Sequence, residues 1–539
     1  MLVRIMSTPL RAFRLPAVAA AAALLVACGG GGGGGDAPLP DVDTSSVTAA
    51  DPGSPLAEGW QRRGIAQVFV RSYQDSDGDG KGDLQGLISR LDYLQALGVG
   101  GIWLMPVTAS QDGDHGYAVK DYRAIERDYG SVADLEALVA AAHARGLGVI
   151  VDYVMNHSAA QHPAFVNSRA GSTNTFRDWY VWQSSRPAGW NIYGGDPWRS
   201  ANGSWYFAPF WDQMPDFNLQ NTAVVAWHHD NLRFWLNLGV DGFRFDAVGN
   251  LVENGPAAWE NQPQNHVLMA GVRDLVGGYS RRYMVCEGPS DPAGYAASCG
   301  SAFAFGYQGQ LIAAAKGDTA AVAAVAAYPV TAPAGAATFL SNHDSFAGQR
   351  PWDQFGGNVA QYKLAAATYL LQPGVPFVYY GEEIGMAGAS TLDGDPKLRT
   401  PMSWTAAGGF TTGTPYRARS ANAATQNVQA QAADPDSLLA FYKAMLALRG
   451  ERPSISAGDY LQPQASGTLL SFQRTQGGER TLVVLNYGTS SATATVTGLP
   501  ASATLGSLYP SGGGDTTASA GGEASITMAA RSVRVFDVR

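Results

Sequence analysis

"GFRFDAVGN", residues 242–250, follows the apolar lead-in "WLNLGV" at 235–240 and reads as a buried β-strand. Successive side chains on a strand point to opposite faces, so Arg244 and Asp246, two apart, share one face. A parallel strand buried on both faces normally carries Val, Ile or Leu at such positions. Two charges at the end of a core strand therefore need a polar mouth to point into. The C-terminal rim of a barrel of alternating strands and helices is such a place.

The rest of the chain supplies that alternation. "AQVFVRSY" (66–73) leads to the helical "LISRLDYLQALG" (87–98) and the strand "VGGIWLMPV" (99–107); "DLEALVAAAHARG" (134–146) leads to "LGVIVDYVMNH" (147–157). Beyond the opening stretch come "RYMVCEG" (282–288), "SAFAFGYQG" (301–309), "AATFLSNHD" (336–344) and "VPFVYYGEE" (375–383), with helical runs such as "NVAQYKLAAATYLLQ" (358–372) between some of them. Eight strands with intervening helices predict an α/β chain built on a (β/α)8 TIM barrel, in two parts, 58–157 and 226–452. Residues 158–225, rich in Trp, Asn, Gly and Pro, are too long for a plain connection and read as an irregular insertion after strand three. After the helix "SLLAFYKAMLALRG" the texture changes to short alternating strands with Gly and Ser turns, "GTLLSFQRT", "RTLVVLNYG", "SATATVTGL" and "RSVRVFDVR". Residues 453–539 are thus expected to form a C-terminal antiparallel β-sandwich.

The N-terminus stands apart. Arg4, Arg11 and Arg14 precede "AVAAAAALLVA" (17–27), an apolar run too short to span a membrane and ending in small residues. It reads as a secretory signal over 1–28. Its end, "LVAC" (Leu25–Cys28), resembles a bacterial lipobox, which implies a lipidated Cys28 and a chain exported and anchored at the bacterial cell envelope. Gly29–Gly35 opens a flexible tether over 29–57. Export permits a disulfide between Cys286 and Cys299, but Cys286 lies in the apolar "RRYMVCEG", where a buried thiol fits equally well. A net charge of −9 and a pI near 5.4, with no basic stripe past the N-terminus, exclude nucleic acid as the expected partner. A monomer is expected.

Polar groups gather at the predicted strand ends: Asp152, Asn156 and His157 in "DYVMNH", Arg244 and Asp246, Glu287 in "VCEG", and Asn342, His343 and Asp344 in "FLSNHD". Three strands end in an acid, and a barrel brings those ends around one mouth. Two unlike carboxylates with a third nearby suit glycosidic cleavage with retention, where nucleophile and general acid stand about 5–5.5 Å apart. Arg244 would keep Asp246 ionised and aimed, while burial and neighbouring anions would keep Glu287 protonated.

In this order and spacing, "DYVMNH", "GFRFDAV", "CEGPS" and "FLSNHD" resemble the four signature regions of the α-amylase family of retaining α-glucoside hydrolases. "MPDFNL" (214–219), "DHGYAVKDY" (114–122), "GEEIGM" (381–386), "RTPMSW" (399–404) and "NVQAQAADPDSLLAFYKAMLALR" (427–449) also match, so the resemblance covers 59–539. It implies Asp246 as nucleophile, Glu287 as acid and base, and Asp344 as the acid that holds the sugar hydroxyls. His157, His343, Arg244 and Tyr117 would line the sugar site, with Tyr117 stacking under the ring. Asp114 and Arg399 resemble the pair that closes the non-reducing end in oligosaccharide-cleaving relatives. The expected substrates are short α-glucans, α-1,4 linkages first. A transglycosylase on the same scaffold and a non-catalytic glucan-binding or transporter-associated lipoprotein are the other readings, and the three intact carboxylates oppose the last.

"DSDGDGKGD" (75–83) is a second constellation. Oxygen donors at Asp75, Asp77, Asp79, the Lys81 carbonyl and Asp83, with glycines between, resemble the front of a calcium loop, and a structural Ca2+ or Mg2+ is expected there. A different family calcium site would use Asn156 and Asp216. Asn250 stands where many amylases have His, and Ala118 departs from the Asp common after "GY".

Overall fold

The computed structural model describes residues 41–539. The signal segment, Cys28 and the glycine run fall outside the described residues. Eight parallel strands close into a barrel: β1 (Ile65–Val68), β2 (Gly101–Leu104), β3 (Gly148–Tyr153), β4 (Gly242–Phe245), β5 (Tyr283–Cys286), β6 (Ala302–Phe303), β7 (Ala336–Thr338) and β8 (Val375–Tyr379). Neighbours in the ring are neighbours in sequence, and β1 closes on β8 with Ile65 opposite Phe377. The (β/α)8 barrel read from the sequence is the fold. "SAFAFGYQG" contributes only the two residues of β6.

The barrel interior is filled by Ile65, Trp103, Ile150, Val285, Phe303, Ala337 and Phe377, with Trp60 packed beneath. Gly101 and Gly148 make room for that indole: a Cβ on either would lie 2.3 or 2.6 Å from the Trp60 ring. Gly242, at φ +139°, lets β4 start against β5, where a Cβ would stand 1.7 Å from the Tyr283 carbonyl oxygen. The "GF" before "RFD" is therefore a packing requirement.

After β3 the chain leaves the barrel for a module with one short helix, Pro163–Ala170, and a three-stranded sheet of Trp182–Gln183, Ser204–Phe207 and Trp198–Ala201. Ile192, Trp198 and Phe207 form its own small core, flanked by Trp190, Trp205 and Trp259. The next barrel helix, Thr222–Asn237, is capped by Asn221, so the last four residues of the expected 158–225 insertion belong to that helix.

The C-terminal strands form a six-stranded antiparallel sheet facing a two-stranded one. Its central strand, Glu479–Asn486, is buried on both sides. Leu482 and Val484 face Val496, Ile526 and Met528 of the small sheet, while Val483 and Leu485 join the barrel's outer core. Tyr487 OH shares a 2.7 Å hydrogen bond with Thr368 Oγ1, and Arg474 Nη1 donates to the Leu371 carbonyl at 2.9 Å, both on the helix Val359–Leu371.

One expectation is corrected. Residues 41–57, read as the end of a flexible tether, lie along the barrel as a strap. Arg123 Nη1 meets Asp43 Oδ2 at 3.1 Å, the Val47 amide donates to Asp230 Oδ1 at 3.0 Å, and Asn237 Nδ2 donates to the Thr48 carbonyl at 2.9 Å. Further on, the Ser280 hydroxyl donates to Asp51 Oδ2 at 2.6 Å and Arg282 Nη2 to the Gly53 carbonyl at 3.0 Å. The bonds are mostly to backbone atoms, which composition does not reveal.

Candidate active site

Asp246 and Glu287 stand on adjacent strands at the same level of the rim. The Asp246 amide donates to the Tyr153 carbonyl at the end of β3 (3.1 Å), and the Glu287 amide to the Phe245 carbonyl of β4 (2.9 Å), so the ladder itself fixes both. Ala247 turns the chain away at φ +46°, a left-handed conformation costly for a residue with a Cβ. The turn aims the Ala247 amide at Glu287 Oε2 (3.1 Å) and the Val248 amide at the Glu287 carbonyl (3.0 Å).

Arg244 explains the charges at the end of the core strand. It is 1% exposed and holds three carboxylates at once: Nη1 reaches Asp246 Oδ1 at 2.6 Å and Asp152 Oδ1 at 3.0 Å, and Nη2 reaches Glu287 Oε2 at 2.7 Å. Its guanidinium lies 5.2 Å from the centre of the Trp103 ring. Burial and those anions leave a network in which one cation faces three acids. Burial raises Asp246, with Arg244 and a hydrogen bond from Glu287 opposing it. Burial pushes Glu287 to about 7 against Arg244, and the Asp246 charge adds to the rise. Asp152 rises to about 8 for the same first reason. Burial and the Asp246 charge thus favour the protonated form of Glu287, the state a general acid needs.

Asp344, after β7, belongs to a second group. Its Oδ1 meets Arg399 Nη2 at 2.9 Å and its Oδ2 meets His343 Nε2 at 3.0 Å. Gln67 Nε2 donates to His343 Nδ1 (2.7 Å), which leaves the histidine's proton on Nε2, 2.6 Å from Tyr117 OH. Tyr117 OH donates in turn to Asp152 Oδ2 at 3.0 Å, joining the two groups. Burial pushes His343 well below its usual range, helped by Arg399 and Arg244, and burial lowers His157 to about 4, so both are neutral. Asp344 is pushed up to about 7 by burial.

Asp114 and Arg399 do not meet. Arg399 spends its guanidinium on Asp344, on Asp395 (3.2 Å) and on the His343 carbonyl (2.9 Å), and Asp114 pairs with Arg417 Nη2 at 2.7 Å. Each of the two residues expected at the non-reducing end has its own partner, Asp114 with Arg417 and Arg399 with Asp344. Asp395 opens a single 3-10 turn, Asp395–Lys397, and Arg417 lies in a loop; neither stands in a periodic stretch, and no sequence signal marked them. Gln67 and Trp103, also missed, stand on β1 and β2; a lone Gln in the apolar "AQVFV" was the available signal.

In the acidic loop, the structure brings Asp75, Asp77 and Asp83 together, with a carboxylate oxygen of each within 4.8 Å of the others. Asp79 is not among them: its Oδ1 accepts from the Lys81 amide at 2.7 Å, and Lys81 Nζ lies 3.0 Å from Asp128. Asp216 is buried with neither carboxylate oxygen paired, and Asn156 Oδ1 is unpaired as well. Burial and the Glu253 charge hold Asp216 well above the carboxylate range.

Cys286 and Cys299 form a disulfide that ties β5 to the end of the helix Pro292–Cys299. The alternative the sequence left open is resolved in favour of the bond, and it begins at the residue before Glu287.

The family model described as Alpha amylase, catalytic domain, matches residues 67–458. A probable alpha-glucosidase of Rhizobium meliloti is 31% identical over 512 residues, covering 84% of this chain and 93% of that protein. Trehalose synthase/amylase TreS of Mycobacterium tuberculosis is 32% identical over 504 residues, covering 82% of this chain and 83% of its own length. Among solved structures, the alpha-glucosyl transfer enzyme XgtA superposes with a TM-score of 0.77 at 28% identity, over 90% of this chain and all of that one.

Proposed function

Because the chain belongs to the α-amylase family, glycoside hydrolase family 13, whose members act on α-glucosidic bonds, we propose that it cleaves the α-1,4 bonds of maltooligosaccharides or short α-glucans with retention. The observation that carries the reading is Arg244 holding Asp152, Asp246 and Glu287 together, with burial raising Glu287 to about 7. Asp246 attacks the anomeric carbon while Glu287 gives its proton to the departing glycosidic oxygen, forming a glycosyl ester on Asp246. Glu287, now a carboxylate, takes a proton from a water, whose oxygen attacks the same carbon and frees Asp246. Asp344, kept in place by Arg399 and His343, would bind the sugar hydroxyls, with Tyr117 and His157 against the ring. Asp114 with Arg417, beside Arg399, would close the site at the non-reducing end.

A second reading is transfer, in which a sugar hydroxyl replaces the water. It is favoured by the relatives, one named a trehalose synthase/amylase and one an α-glucosyl transfer enzyme. A time course with maltoheptaose, maltose and a blocked-end maltoheptaoside separates the outcomes. Stepwise glucose release with the blocked substrate untouched supports an exo-acting hydrolase. Mid-chain products from the blocked substrate support an open cleft, and products longer than the input support transfer. No cleavage of any of them overturns the reading.

Two further proposals concern what surrounds the site. Oxygen donors of Asp75, Asp77 and Asp83 suit a hard divalent cation, which would tie the loop together, and the unpaired oxygens of Asn156 and Asp216 suit a second. The N-terminal segment would be removed at Cys28 and the lipidated chain held at the cell envelope; labelling with a radioactive fatty acid, lost in Cys28→Ser, tests it.

A further inference from the structure

Glu287 is the first residue after β5, and the two sides of that strand hold it unequally. Toward β4 the ladder has four rungs, from Tyr283 opposite Gly242 to Cys286 opposite Phe245, and the Glu287 amide adds a bond to the Phe245 carbonyl at 2.9 Å. Toward β6, which has two residues, it has one rung, Cys286 opposite Ala302, closed by the Cys286 amide on the Ser301 carbonyl at 3.0 Å. Parallel pairing is the weaker kind per residue, and one rung fixes little. Backbone that carries a proton donor needs more, because a misplacement of about 1 Å at a reacting group can cost about 100-fold in rate.

A covalent bond stands where the rungs are missing. Side chains alternate along β5: Tyr283 and Val285 face the barrel interior, Met284 and Cys286 the surrounding helices. Glu287 therefore points into the mouth, while the sulfur of Cys286, one residue back, points outward to Cys299, which precedes β6 by three residues. Tyr295, four residues before Cys299, shares its face of the helix Pro292–Cys299. That ring is fully buried, and Gly288 rests on it so closely that a Cβ there would stand 2.1 Å from a ring carbon. The helix thus grips the chain on each side of Glu287, through the sulfur at 286 and through the ring against 288.

We propose that the Cys286–Cys299 bond is a positioning element for the proton donor, holding Glu287 from the β6 side, where the strand ladder does not. This rests on the reading of Glu287 as the acid of an α-glucosidase. Opening the bond takes two electrons and two protons: a dithiol supplies them, becomes a cyclic disulfide, and leaves thiols at 286 and 299. Asp246, fixed by its amide on the Tyr153 carbonyl of β3, keeps its place when the bond opens. Proton donation is the step that suffers. A chain folded where thiols keep the bond from forming has its nucleophile and lacks a well-aimed acid.

The test compares maltose, whose departing sugar needs a proton, with α-glucosyl fluoride, whose fluoride leaves with little help from one. In Cys286→Ala/Cys299→Ala, assayed well below its melting midpoint, kcat/KM for maltose should fall roughly 10-fold or more, while that for the fluoride changes by less than about 3-fold. Native protein in dithiothreitol, once both thiols are freed, should show the same drop and regain the loss on reoxidation. An unchanged ratio of the two substrates in a double variant that still turns over the fluoride overturns the positioning role and leaves the bond a stabiliser of the fold. An equal loss on both substrates overturns it as well, because the bond would then hold the whole site. A native, oxidised protein that turns over neither substrate overturns the α-glucosidase reading and this proposal with it.

Discussion

Asp246 can lose its charge without losing its shape, so Asp246→Asn should fold and lose roughly 10^4-fold or more of kcat on maltotriose. Glu287 gives the pH dependence. Catalysis needs it protonated, so kcat/KM should decline as pH rises past about 7. The same shift acts on stability: the folded value lies above the ordinary 4.5 of a glutamate, so the stabilisation is fully present below about 4.5 and lost as pH rises through about 7. Glu287→Gln removes that loss, and its Tm should exceed the native value at pH 8, with the gap shrinking toward pH 5. A gap that does not change with pH would show that Glu287 titrates in the folded protein as it does in the unfolded chain. Arg244 and Asp246 were legible because charges in an apolar strand violate its pattern. Gln67, Asp395 and Arg417 were not, because each acts through a neighbour's geometry: Gln67 fixes the proton of His343, and Arg417 pairs with Asp114 from a loop 303 residues away in sequence.

Among the elements, the stretch from the end of β5 to the end of the helix Pro292–Cys299 is closed into a loop by the Cys286–Cys299 bond. Opening a loop of that length should cost about 3 kcal/mol, read as a lower denaturation midpoint for Cys286→Ala/Cys299→Ala or under reductant. The strap at 41–57 makes the opposite demand on sequence reading. Its residues show no apolar period, yet it bonds Asp230 and Asn237 on the helix Thr222–Asn237 and Ser280 and Arg282 in the turn leading into β5. A chain beginning at residue 58 should therefore melt below one beginning at residue 41. Barrel strands were readable from their runs of Val, Ile and Leu; β6, with two residues, was readable only as a member of the series.

For the whole molecule, the C-terminal sheet covers the barrel with the face that carries Val483 and Leu485. Ending the chain at residue 452 exposes the helix Val359–Leu371, and the product should aggregate. Chelation should lower the Tm if a cation links Asp75, Asp77 and Asp83, and Asp75→Asn should abolish that response. The two-sided burial of Glu479–Asn486 was hinted at by "TLVVL", an unbroken apolar run where a one-sided strand would alternate. The closing of the ring has a consequence for how the protein comes into being. β1 is hydrogen-bonded to β8, some of the first and last parts of the barrel to leave the ribosome. Ile65 has no partner on that side until Phe377 has been synthesised, so the nascent chain carries an open, apolar-edged sheet for most of its translation. The ring can therefore close only once the chain has run past β8, and a fragment ending before Val375 should leave the β1 edge unpaired.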